Sequence, residues 1–211
     1  MSSSGNLIDL DVIRAAPTAN EPYTHFMASG ALRRDAIPEL RRDFPDIQKP
    51  GFLTVQDVDL RGSFKRLIEE IEGSALAQAL SAKLGIDLDP YPRLTTIRRL
   101  SQLKDGRIHT DSESKLATFL VYMNDAWNDD GAGRLRVLRG PDDFDDMAAE
   151  ISPTMGSVFG FRRSDKSWHG HKPFAGERRV VQVTWLRDAS ELERKKQRNA
   201  LAQVFKGIFK R

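Results

Sequence analysis

His109, Thr110 and Asp111 form a His-x-Asp triplet. On an extended chain, residues i and i+2 project from the same side, so an imidazole and a carboxylate converge there. A second imidazole from elsewhere completes a two-His, one-carboxylate set. Such a set binds Fe(II) on one face and leaves the remaining coordination positions open for substrate and oxygen. Alone, the triplet reads first as a surface loop with a hydrogen-bonded His and Asp. Its meaning depends on what surrounds it.

The other imidazoles are His25, His169 and His171. His25 lies in the helical region with no ligand partner nearby and is expected to be structural or exposed. Ser167-Trp168-His169-Gly170-His171-Lys172-Pro173 ends in a turn and is followed by Arg178-Arg179-Val-Val-Gln-Val-Thr-Trp185, a β-branched run that suits a buried strand. No cysteine occurs, which excludes disulfides, a thiolate nucleophile and sulfur ligands for a metal.

The elements that must position these groups change character along the chain. Residues 35–44, with Pro38 in the first turn, a run from Ser63 broken at Gly73-Ser74, and a run from Ala75 to Leu84 stopped at Gly85 all have helical spacing. The first ninety residues are therefore predicted to be mainly helical. Short strands are predicted after Pro92, at Leu94–Leu100, Ala117–Met123, Arg134–Leu138, Ser157–Phe161 and Arg179–Trp185. Turn-rich segments between them argue for an antiparallel sandwich or barrel.

In this order, the motifs resemble the Fe(II)- and 2-oxoglutarate-dependent oxygenases of the prolyl 4-hydroxylase type. The resemblance covers about residues 94–187. It rests on Asp105-Gly106-Arg107-Ile108 before the triplet, Thr118–Asn124, Gly131-Ala-Gly-Arg-Leu-Arg136, Pro153–Phe161, and the His-to-Pro-to-Gly-to-Arg order after Ser167. It implies a double-stranded β-helix, or jelly roll, in an α+β, mainly β chain with N-terminal supporting helices and a C-terminal helix. It further implies that His109, Asp111 and His169 hold Fe(II), that Arg179 pairs with the far carboxylate of 2-oxoglutarate, and that Tyr122 helps hold that co-substrate. Fe(II), 2-oxoglutarate and O2 would be required, with ascorbate as an optional addition. The implied reaction hydroxylates a C–H bond of a peptide or small-molecule substrate and releases succinate and CO2.

Two choices stay open in the sequence. His171 competes with His169, although the proline four residues after His169 and the ten-residue step to Arg179 favour His169. Arg178 competes with Arg179, since strand alternation turns only one of them inward. The set Arg179, Val181, Val183, Trp185 is the more apolar and is expected to face inward. Arg98, Arg99, Arg162 and Arg163 are further cations that would serve an anionic substrate near the mouth or simply be ion-paired.

One domain is expected over 1–211: helical support to about residue 90, a jelly-roll core at about 91–187, and a basic C-terminal helix over 190–211. In that helix Leu201, Val204, Phe205 and Ile208 have helical spacing. The net charge is +3, while Arg187 to Arg211 alone carries +5, so basic character is confined to the tail. A nucleic-acid partner is therefore not expected, and demethylation of nucleic acid, also performed in this superfamily, lacks its second strand arginine because Trp185 stands six residues after Arg179. A membrane surface or a protein partner is the alternative role for the tail helix. A non-catalytic jelly-roll binding module is the other alternative, but it would have no use for a carboxylate-gripping arginine behind an open metal. With no apolar run long enough to span a bilayer and no export signal, a cytoplasmic location is expected.

Overall fold

The computed structural model describes residues 5–127 and 131–194. Among the described residues, ten strands and four named α-helices build three layers. The helices are α1 (Leu10–Ala15), α2 (Ile37–Asp43), α3 (Gly62–Glu72) and α4 (Ser74–Leu84). The strands are β1 (Thr18–Ala19), β2 (His25–Ala28), β3 (Leu53–Thr54), β4 (Arg93–Ser101), β5 (Lys115–Tyr122), β6 (Leu135–Leu138), β7 (Met147–Ile151), β8 (Val158–Arg162), β9 (His169–Gly170) and β10 (Gly176–Leu186). A large sheet runs β1-β2-β8-β5-β10-β4-β3 and a small one runs β7-β6-β9. All named strand pairs are antiparallel.

The helical face follows from spacing. Phe64, Leu67, Ile68 and Ile71 lie one turn apart on α3 and are buried, as are Leu76, Ala77, Leu80 and Leu84 on α4. Gly73 is extended between the two helices, and Gly85 ends α4 at φ 64, a left-handed position where a side chain would be strained. Together these helices cover the outer face of the large sheet, where Ile97, Ala117, Phe119, Val121, Val181, Val183 and Trp185 project.

A second core lies between the sheets. It contains Leu120, Tyr122, Phe159, Phe161 and Val180 from the large sheet and Leu135, Val137 and Ile151 facing them. The large sheet is thus buried on both faces, one against helices and one against the small sheet. This double burial overturns the expectation about β10. Apolar character marks the helix-facing side, so Arg179, Val181, Val183 and Trp185 point away from the inter-sheet space.

The opening ninety residues are also less helical than expected. His25 lies on β2, paired with β8 through His25–Phe161. It is buried, and its Nδ1 donates to the Tyr23 carbonyl at 2.8 Å, a structural role. The basic helix expected over 190–211, with Leu201, Val204, Phe205 and Ile208, lies outside the described residues apart from a helical stretch at 189–194.

Candidate active site

A cavity of about 580 Å³ opens between the sheets. His109, Asp111 and His169 meet in it, each offering one ligand atom, and these atoms all lie within 4.8 Å of one another. The backbone sets this meeting. His109 and His169 exchange both N–H···O=C hydrogen bonds, each 3.0 Å, which ties the triplet to β9 and brings the rings to 4.4 Å between centroids. Gly170 permits the approach, because a Cβ there would stand 2.2 Å from the Arg107 carbonyl oxygen.

The donor set suits a divalent cation. His109 Nδ1 faces the Arg107 carbonyl at 3.2 Å and His169 Nδ1 faces the Ser167 carbonyl at 2.8 Å. A carbonyl only accepts, so both Nδ1 atoms donate and both Nε2 atoms are left to face a metal, the usual orientation of ligating histidines. Burial lowers the His169 pKa to about 4, against the pull of Asp111. It is neutral at neutral pH, as a ligand must be.

Asp111 is held ionised. Burial works against its charge, but Lys115, His169 and hydrogen bonds from Lys115 and Thr118 outweigh that and push its pKa well below the usual carboxylate range. Thr118 Oγ1 donates to Asp111 Oδ2 at 2.6 Å, and the Lys115 ammonium pairs with Oδ1. Arg163 Nε donates to the Asp111 main-chain carbonyl at 3.2 Å, which fixes the loop instead of lining the mouth. Neither Lys115 nor Thr118 was singled out from sequence. They lie only four and seven residues after Asp111, where the chain enters β5.

The far side of the cavity is cationic. Arg178 is 3% exposed. Its Nε donates to the Gly133 carbonyl at 2.8 Å and its Nη2 to the Tyr122 hydroxyl at 3.3 Å. Gly133 lies at φ 70 against Trp127 and Phe174, a close approach that only glycine allows. Arg179, expected here, is on the opposite face. It pairs with Glu177 and lies 5.1 Å from the centre of the Phe44 ring. The physical reason is parity along β10: Arg178 shares the inward side with Val180 and Gln182, the last of which also lines the cavity. A bulge between Glu177 and Val180 in the pairing with β4 loosens the strand there, and Asn124 Oδ1 accepts the Arg179 main-chain N–H at 2.8 Å.

Tyr122 is fully buried on the inward face of β5, and burial raises its pKa against the opposing pull of Arg178. The phenol therefore stays protonated, and since its oxygen accepts from Arg178, its own proton is free to be donated. His171 also lines the cavity but stands outside the three-ligand cluster. Burial first, then the Arg178 charge, lowers its pKa to about 3.

Comparison with known proteins agrees with this geometry. Residues 98–187 match the family model described as the 2OG-Fe(II) oxygenase superfamily. No curated protein sequence matches significantly. Among solved structures, a prolyl 4-hydroxylase from Phytophthora capsici superposes with TM-score 0.58 at 16% identity, covering 88% of this chain and 68% of that one. A prolyl hydroxylase from Trichoplax adhaerens, in complex with a hypoxia inducible factor oxygen degradation domain peptide fragment, gives 0.52 at 15% identity, with 84% and 86% covered. The viral collagen prolyl hydroxylase of Paramecium Bursaria Chlorella virus-1, as its 2-oxoglutarate complex, gives 0.52 at 17% identity, with 76% and 93% covered. At these identities the likeness shows the fold, a jelly roll. Members of the matched family work with Fe(II), 2-oxoglutarate and O2. Residues 98–187, which supply every cavity residue named here, are the part of this chain that matches the 2OG-Fe(II) oxygenase superfamily.

Proposed function

We propose that the chain hydroxylates a C–H bond of a peptide or small-molecule substrate, with His109, Asp111 and His169 as the residues that would hold Fe(II) and Arg178 as the one that would hold 2-oxoglutarate. The observation that carries this reading is one cavity with two poles. Two imidazoles and a carboxylate stand at one end, and at the other the Arg178 guanidinium, bonded to the buried Tyr122 phenol. When bound, the metal and co-substrate supply the oxidising equivalents for C–H cleavage.

The protein's own groups do the positioning. Arg178, fixed by Gly133, presents its remaining N–H groups to a carboxylate, for which a planar guanidinium is well matched. Tyr122 donates a further hydrogen bond. Thr118 and Lys115 fix the orientation of the Asp111 carboxylate, and the main-chain carbonyls at Arg107 and Ser167 fix both imidazoles. The peptide bound by the Trichoplax relative makes a peptide side chain the first substrate class to test.

Succinate formation by iron-loaded protein across a panel of peptides and small metabolites tests the proposal. The expected result is succinate that depends on one substrate class and on Arg178. A protein that binds iron but neither binds nor decarboxylates 2-oxoglutarate would rule the reading out.

A further inference from the structure

Arg98 stands beside Arg178 and no role described above uses it. On the large sheet, Val180 pairs with Arg98 of β4 on one side and with Tyr122 of β5 on the other. Directly opposed residues share a face, so Arg98, Val180 and Tyr122 form one inward-pointing row. Arg178 lies two residues before Val180 on the same face. Two guanidiniums thus line the cavity together, with the Tyr122 phenol bonded to one of them.

Arg98 is built into the cavity wall. Its side chain is 11% exposed and its guanidinium lies 4.0 Å from the centre of the Phe52 ring. The Nε is buried and has no hydrogen-bond partner among the described residues. Asp105 stands 3.9 Å from its Nη1, too far for a hydrogen bond, and Asp105 Oδ2 already accepts the Gln102 main-chain N–H at 2.9 Å. Burial lowers its pKa to about 10, with Asp105 opposing and the nearby Arg178 charge adding to the fall. Arg98, His171 and Arg178 all line the same cavity. A buried cation with this little pairing is costly, and two such cations side by side repel. An anion between them removes both penalties.

We infer that Arg98 is a second carboxylate-gripping residue, closing with Arg178 and the Tyr122 hydroxyl around the distal carboxylate of 2-oxoglutarate. The inference rests on the 2-oxoglutarate reading of the cavity and deepens it. A single arginine suffices to pair one carboxylate; two converging arginines make recognition depend strongly on that charge. The site should therefore discriminate sharply against 2-oxo acids that lack a second carboxylate.

The test is calorimetric titration of 2-oxoglutarate and of 2-oxobutyrate, which has no distal carboxylate, into anaerobic Fe(II)-loaded protein. Parent, Arg98→Gln, Arg98→Met and Arg178→Gln proteins are compared, with thermal melting recorded for each. Arg98→Met keeps an apolar stem against Phe52, so it separates loss of charge from loss of packing. Both Arg98 variants should weaken 2-oxoglutarate on the order of tenfold to a hundredfold while leaving 2-oxobutyrate binding near the parent value. The preference for the dicarboxylate then shrinks by the same factor. If 2-oxoglutarate binding stays within about twofold of the parent, a difference worth under half a kcal/mol, the inference is overturned. Equal weakening of both ligands also overturns it, since that marks a structural defect. If the parent binds no 2-oxoglutarate, or Arg178→Gln leaves its binding unchanged, the reading of the whole cavity fails, which is a different result from failure at Arg98 alone.

Discussion

Two neighbouring arginines with the same chemistry have opposite placements because of which way the pleat turns them. Arg178 is buried against Tyr122 and Gly133, whereas Arg179 pairs with Glu177 near the surface. Arg178→Ala should raise the 2-oxoglutarate dissociation constant on the order of a hundredfold or more, since breaking a buried charge pair costs about 3–5 kcal/mol and about 1.4 kcal/mol is tenfold. Arg179→Ala should leave it near the parent value, and calorimetry on both variants checks the contrast. The same logic separates the two histidines of β9 and the turn after it. Iron content after anaerobic reconstitution should be lost in Asp111→Ala and His169→Ala and kept in His171→Ala, because His171 Nδ1 is engaged by the Lys172 carbonyl and its ring lies outside the cluster. Retention of iron by His169→Ala would move the ligand to His171.

Among the elements, β9 is short but decides the site. Its two residues pair with β6 through Val137–His169 and Arg136–Gly170, and with the His109 backbone on the other side. Gly170→Ala would push a methyl group into the Arg107 carbonyl, a backbone atom that cannot rotate away. Parting β9 from the triplet should lower iron affinity on the order of tenfold to a hundredfold, as the loss of other ligand-orienting groups does. Gly140→Ala, with nothing within 4 Å of the added carbon, is the matched control and should bind iron like the parent. Most long elements were legible in sequence: α3 and α4 through their apolar spacing, β5 and β10 through β-branched and aromatic runs. The short β1, β2, β3 and β9 were not, since two to four residues carry too little periodicity. Nor was β7, whose Met-Ala-Ala-Glu-Ile has weak strand preference and is held by pairing with β6.

For the molecule as a whole, burying two neutral imidazoles makes stability depend on pH. An unfolded chain protonates His169 and His171 as pH falls through about 6.5. The folded, metal-free protein delays this to about 4 for His169 and about 3 for His171. Between those limits the unfolded state binds more protons, so the contribution is fully present above about pH 6.5 and declines as pH falls. Each imidazole lowers the unfolding free energy by up to about 1.4 kcal/mol per pH unit in its window. Denaturant unfolding of chelator-treated protein from pH 7 to pH 4 should show this decline, and His171→Gln should make it shallower. An equal slope in that variant would show that His171 is solvated instead.

At this same scale, residue types and their order were enough to bring out the resemblance to the 2OG-Fe(II) oxygenases and to single out the His-x-Asp triplet and a later His that the fold brings together. Local periodicity was enough to place helices before strands. Tertiary structure alone decided which arginine enters the cavity. Parity along β10 offers two faces, and composition would select the apolar one, which is in fact spent on the helical layer. It alone also joined Arg98 to Tyr122, because cross-strand register is a long-range pairing that no local pattern encodes.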